Sequence, residues 1–158
     1  LTEEDWRYAV DHLRMTSFVY GLLRPTDLIR PYRMEGTARL PMLEGERVFD
    51  FWRDRLTKPF IEAIRAAGGT LLYLASDEMR GLFHWEEVER SVEVITPTFL
   101  TRQQDGSLRQ TVIYTKMARG EMAREVLRQR ISRPEELHRL TPAGFLYTGE
   151  GWDYILGD

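Results

Sequence analysis

Lys116-Met117-Ala118-Arg119-Gly120 joins two cations to a glycine where a β-branched strand pattern gives way to a helical one. That position predicts the first turn of a helix. Cations there oppose the helix dipole, at about a few tenths of a kcal/mol each. The same placement suits an anion, because free N–H groups, dipole and side chains converge on one spot. Gly120 leaves room for a ligand or another backbone, and Arg124 adds charge on the solvent side. The alternative is that Lys116 and Arg119 pair with carboxylates elsewhere in the fold. A second run, Leu74-Ala75-Ser76-Asp77-Glu78, ends a short buried strand in polar groups. Open α/β sheets bind ligands beyond such strand ends. Ser76, Asp77 and Glu78, with Lys116, are therefore the candidates for catalytic acid–base chemistry. The plainer alternative makes Ser76 a helix N-cap and the two acids partners of the dipole. The third run spans residues 12–34, where Arg14, Arg24, Arg30 and Arg33 face a single acid, Asp27. Tyr20-Gly21 within a helical pattern reads as a tight hairpin between two helices. Flanked by Arg14, Arg24 and Arg33, such a hairpin grips phosphates without reading bases. The alternative is one packed helix with a glycine at a close crossing.

Other catalytic patterns are missing. His12, His84 and His138 are scattered without metal-ligand spacing, so neither a metal nor a cofactor is expected. No phosphate-binding glycine loop and no GxSxG motif is present. The chain holds no cysteine, which excludes disulfides, thiolate metal sites and peroxidatic or redox-sensing thiols.

The elements that must position these groups follow from periodicity and punctuation. Thr2 caps a helix with acids in its first turn, and the helical pattern reaches about Leu23, before Pro25. Residues 24–43, with three prolines, predict an ordered but irregular connection. A second helix is expected from about Gly45 to Ala67, broken or restarted at Pro59 and stopped by Gly68-Gly69. Strands are expected over Thr70–Ala75, Val92–Leu100 and Leu108–Thr115, with a hairpin at Asp105-Gly106. A last helix is expected over Lys116–Ile131, then a turn at Pro134–Leu140 and two short strands within Phe145–Leu156. This order predicts a mixed α/β fold, one sheet with helices around it, in a single domain over residues 1–158.

Length and composition agree with one domain: 158 residues, 42% of them hydrophobic, suffice for a core. No apolar run is long enough to cross a bilayer, and the acidic opening Leu1-Thr2-Glu3-Glu4-Asp5 is unlike a secretory leader. A cytoplasmic protein without membrane contact is expected. Twenty arginines stand against two lysines, which reflects either a GC-rich genome or recognition of phosphate and carboxylate by the guanidinium fork. With a net charge of −3, affinity for nucleic acid must come from local patches. The first residue already begins a helix, so a fragment of a longer protein is expected.

Together, His12-Leu13-Arg14-Met15, Tyr20-Gly21-Leu22-Leu23-Arg24-Pro25, Pro31-Tyr32-Arg33, Phe51-Trp52, Leu74-Ala75-Ser76-Asp77-Glu78 and Lys116-Met117-Ala118-Arg119-Gly120 resemble the YaaA family in order and spacing. Arg133-Pro134-Glu135-Glu136-Leu137 and Gly144-Phe145 continue the match. It covers almost all of this chain but about the last two thirds of a typical member. The family's N-terminal region, with its own first strand, is absent here. That implies a split gene, a longer protein or a second chain that completes the sheet. The resemblance implies a cytosolic bacterial protein tied to peroxide resistance, binding duplex DNA through a helix-hairpin-helix-like element and a positively charged cleft. Carried over by motif, Arg14, Tyr20, Gly21, Arg24 and Arg33 belong to the hairpin or cleft rim. Lys116, Arg119 and Arg124 line the cleft with Ser76, Asp77 and Glu78. Phe18 departs from the pattern, since a glycine stands there in the family. The rival expectation is an enzyme acting on a nucleotide-like or other small anionic substrate in the same cleft.

Overall fold

Residues 1–157 are described by a computed structural model, in which they form two compact units. One comprises residues 6–71 and 75–94, the other residues 1–5, 72–74 and 95 onward. For brevity these are the hairpin unit and the sheet unit. The mixed α/β class is as expected, but the strands form several small sheets rather than one.

Helix α1 (Glu3–His12) opens as the sequence predicts. The Asp5 N–H donates to Thr2 Oγ1 at 3.2 Å, and the Thr2 N–H donates to Asp5 Oδ2 at 2.7 Å, a reciprocal cap. The helix then stops at His12 instead of Leu23. Strands β1 (Met15–Ser17) and β2 (Gly21–Leu23) pair antiparallel, with Ser17 opposite Gly21. The expected helical hairpin is therefore a β-hairpin. Its three-residue loop closes on Gly21 at φ 75°, the left-handed residue that such loops need. After an irregular segment come β3 (Arg39–Leu40) and β4 (Glu46–Arg47), then α2 (Val48–Ala66).

Helix α2 runs unbroken through Pro59. The carbonyl that Pro59 leaves without an N–H belongs to Arg55, and both residues are exposed, so the lost bond lies on the solvent face of the helix. Gly68 and Gly69, at φ 111° and 85°, end the helix as predicted, and the Gly69 N–H reaches back to the Ile64 carbonyl at 2.9 Å. Val48, Phe60, Ile61 and Ile64 of α2 bury against Phe18, Leu82, Phe83 and Val88. The chain continues through β5 (Thr70–Leu72), a 3₁₀ segment over Asp77–Leu82, α3 (Trp85–Ser91) and β6 (Glu93–Ile95).

In the sheet unit, β7 (Thr98–Arg102) pairs antiparallel with β8 (Leu108–Arg109) and parallel with β10 (Asp153–Leu156). Strand β10 pairs antiparallel with β9 (Phe145–Tyr147), which completes the order β8-β7-β10-β9. The hairpin at Asp105-Gly106 is as expected, with Gly106 at φ 80° and Asp105 accepting from Ser107 N and Oγ. Strand β8, however, is only two residues long, and α4 covers Val112–Gln129. The β-branched run at 112–115 is helical because Thr115 turns inward to the core while Val112 and Ile113 face solvent. Ala118 and Met122 of α4 close the core formed by Ile95, Phe99, Leu137, Phe145 and Tyr154. Tyr154 is fully buried, its hydroxyl donating to the Leu137 carbonyl at 2.8 Å, and burial pushes its pKa up to about 12.

Candidate functional site

The β1–β2 hairpin is fixed from beneath by Trp52 of α2. A Cβ at Gly21 would lie 2.9 Å from the Trp52 ring, so only glycine fits that close approach. The Trp52 indole N–H donates to the Phe18 carbonyl at 2.9 Å. Phe18, bulky where a hairpin turn favours a small residue, points into the core instead. Inside the loop, Ser17 Oγ accepts from Val19 N and Tyr20 N at 3.2 and 3.0 Å and lies 2.6 Å from the Tyr32 hydroxyl. Two backbone N–H donors and the Tyr32 hydroxyl thus converge on Ser17 Oγ. The Tyr32 side chain is half-exposed.

Each predicted residue of this region has a definite place. Arg14 is not a free cation: its Nη1 donates to the Val10 and Leu13 carbonyls at 2.8 and 2.9 Å and caps the end of α1. Tyr20 packs edge-on against Tyr32, and its hydroxyl accepts from Arg30 N at 3.0 Å. Asp27, the single acid, spends its carboxylate on the Arg24 backbone N–H at 2.8 Å. The side chains of Arg24, Arg30 and Arg33 are exposed and make no ion pair among the described residues. The sequence places Arg30 in the basic run and Tyr32 in the Pro31-Tyr32-Arg33 motif but assigns neither a role in the site. The spacing of Ser17 from Tyr32 could not reveal their link, because the connection between them is irregular.

Ser76, Asp77 and Glu78 are all exposed at the start of the 3₁₀ segment. Ser76 occupies the N-cap position without a capping side-chain bond, and Asp77 lies 3.6 Å from Arg80. Nearby, Arg53, Arg80, Arg90, Phe83, His84 and Trp85 line an open groove of about 660 Å³. Arg53 is anchored on the Gly81 carbonyl at 3.0 Å and on Asp50 at 3.1 Å. The Arg47 guanidinium beside Asp50 holds that carboxyl below the usual carboxylate range. His84 Nε2 lies 2.7 Å from Asp54. No periodicity marks this groove, since its residues come from α2, the 3₁₀ segment and α3.

Lys116, Arg119, Gly120 and Arg124 belong to the sheet unit and do not form the helix start predicted for them. With α4 beginning at Val112, Lys116 lies beyond the first turn, so the free N–H groups of the helix end are not beside it. What remains is a basic face: Lys116, Gly120 and Arg124 recur every four residues and are exposed, and Arg119 is half-buried. None of the three cations forms an ion pair among the described residues, whereas the neighbouring Arg128 pairs with Glu125 at 3.0 Å. A Cβ at Gly120 would meet nothing within 4 Å.

These features define a cysteine-free, mixed α/β protein that carries separate clusters of uncommitted cations on an acidic chain. The chain belongs to the family described as peroxide stress protein YaaA, which its residues 1–150 match. It is 52% identical over 147 residues to a UPF0246 protein of Porphyromonas gingivalis, covering 93% of this chain and 57% of that protein. To a UPF0246 protein of Bacteroides fragilis it is 55% identical over 144 residues, 91% of this chain and 56% of the relative. A UPF0246 protein of Bacteroides thetaiotaomicron is 52% identical over 155 residues, 98% of this chain and 58% of the relative. The chain thus spans less than two thirds of the length of these relatives. No helix among the described residues is long and apolar enough to cross a membrane.

Proposed function

We propose that this chain supplies phosphate-binding surface to a cytoplasmic protein that holds duplex DNA without reading its bases. One observation carries the proposal. In a chain of net charge −3, Arg24, Arg30, Arg33, Lys116, Arg119 and Arg124 form no ion pair among the described residues, whereas Arg47, Arg53, Arg80, Arg90, Arg128, Arg130, Arg133 and Arg139 do. Exposed guanidinium and ammonium groups of this kind position a phosphate backbone and carry no sequence information. Asp77 and Glu78, exposed to water, lack the enclosure that acid–base catalysis favours. With no thiol, the chain's part in peroxide resistance runs through what it binds.

The test is fluorescence anisotropy with two duplexes of unrelated sequence. Expected are affinities equal within about threefold and a loss of about a thousandfold between 50 and 200 mM salt, since each neutralised phosphate contributes a slope near 0.9. Absence of binding, or binding indifferent to salt, would refute the proposal.

A second reading, an enzyme on a nucleotide-like or other small anionic substrate, is favoured by the arginine-lined groove with Trp85. There the acid–base pair would be His84 with Asp54, which lie 2.7 Å apart and are exposed like Asp77 and Glu78. Saturable shifts of the His84 ring resonances on titration with a nucleoside monophosphate would support it, and unmoved resonances would dismiss it.

A further inference from the structure

We propose that Leu28 and Ile29 form an apolar wedge that enters duplex DNA from the minor groove, unstacks one base step and bends the helix. The proposal rests on the DNA reading above and adds a mode of engagement to it. Leu28 is 99% exposed and Ile29 52%, side by side in a hairpin unit whose Val48, Ile61, Ile64, Leu82 and Val88 are buried around α2, with Met42 its other strongly exposed aliphatic side chain at 85%. Two adjacent aliphatic residues held in water carry a standing cost unless something covers them.

The tip is held rather than loose. On one side a turn is closed by the Asp27 N–H donating to the Arg24 carbonyl at 3.1 Å and by Asp27 Oδ2 accepting from Arg24 N at 2.8 Å. On the other side the Tyr20 hydroxyl takes the Arg30 N–H at 3.0 Å, and Tyr32 is tied to Ser17. Pro25 and Pro31 stiffen both flanks. A tip fixed at both ends reaches a partner without losing much freedom on binding.

Its surroundings select the partner. Arg24, Arg30 and Arg33 flank the two residues in sequence, all exposed, and the carboxylate of Asp27 is already engaged by backbone. An aliphatic pair bracketed by arginines complements a base step bracketed by phosphates. Minor-groove proteins use Leu and Ile in this way, kinking the duplex by roughly 20–90°.

The experiment uses the 158-residue chain and 20-base-pair duplexes carrying a fluorophore pair at their ends and 2-aminopurine at a central TA step. Wild-type protein is expected to raise transfer between the ends and to brighten 2-aminopurine. It should bind the TA duplex about threefold or more tightly than an A-tract, because TA steps unstack readily and A-tracts are stiff. The double variant Leu28→Ser, Ile29→Ser removes surface residues and should keep its fold. It should retain the salt slope of binding while losing the bend and the 2-aminopurine signal. Binding without a bend, or a bend that survives the double replacement, overturns the wedge and leaves the DNA reading standing. Failure of wild type to bind either duplex overturns both. Loss of binding to anionic phospholipid vesicles in the double variant, with DNA bending unchanged, also overturns the wedge and assigns the tip to a membrane surface.

Discussion

Gly21 and Asp5 show how single residues in this chain are committed by their surroundings. At Gly21 a methyl group would meet the Trp52 ring at 2.9 Å, in a backbone conformation at φ 75° that L side chains rarely adopt. Gly21→Ala is expected to cost about 1–3 kcal/mol, read as a lower midpoint in urea. Because Trp52 also holds the Phe18 carbonyl, the variant should loosen the whole hairpin and with it the Ser17–Tyr32 link. Asp5 is nearly buried, and its carboxylate takes the Thr2 N–H at 2.7 Å and the Arg130 Nη1 at 3.0 Å. The Thr2 N–H bond, with further help from Thr2 Oγ1 and Arg130, holds the Asp5 pKa below its usual 3.8. A carboxyl with a depressed folded pKa stabilises the protein fully above its unfolded pKa and loses that contribution as pH falls through the folded pKa. Asp5→Asn should therefore be less stable than wild type near neutrality, with the gap narrowing as pH drops below about 4. A gap that stays constant down to pH 2 would mean that the charge of Asp5 does not matter.

Helix α2 makes an element-scale prediction, since it carries Pro59 in its interior on an exposed face. Pro59→Ala restores one backbone hydrogen bond and should stabilise the chain by about 1–3 kcal/mol, less whatever rigidity the ring gave to the unfolded state. Thermal melts of the two proteins decide it, and an unchanged or lower midpoint would contradict it. Elements of this chain were legible in the sequence where local chemistry decides them. The Thr2–Asp5 cap, the Gly68-Gly69 stop, the Asp105-Gly106 hairpin and the paired strands at residues 145–156 all follow from turn and cap residues acting within a few positions. Elements decided by distant packing were not legible. Residues 15–23 carry a helical pattern but form a hairpin, because Trp52, thirty-one positions beyond Gly21, supplies the floor. Val112, Ile113 and Thr115 favour a strand by type, yet the core accepts Thr115 and Ala118 only from a helix. The site shared this fate. Its exposed cations could be found by counting charges, but the capping role of Arg14 and the groove around Trp85 needed the fold.

At the scale of the whole molecule, an acidic chain that binds DNA must do so through a minority of its charge, and the salt dependence of binding counts that minority. Three of the uncommitted cations, Arg24, Arg30 and Arg33, lie in the hairpin unit, and Lys116, Arg119 and Arg124 lie in the sheet unit. If all six neutralise phosphates, the slope of log K against log salt is about −5. Replacing the hairpin-unit trio by Ala should bring the slope to about −3, and replacing the sheet-unit trio should do the same. Replacing Arg47, Arg128 and Arg139 instead, all engaged in ion pairs, should leave the slope unchanged and so control for net charge. A chain that binds through one unit alone will respond to one trio and ignore the other. Equal, partial losses from both trios mean that each unit contributes its own phosphate contacts. If the ion-pair control changes the slope as much as either trio, binding depends on total charge, and the assignment of these six cations fails.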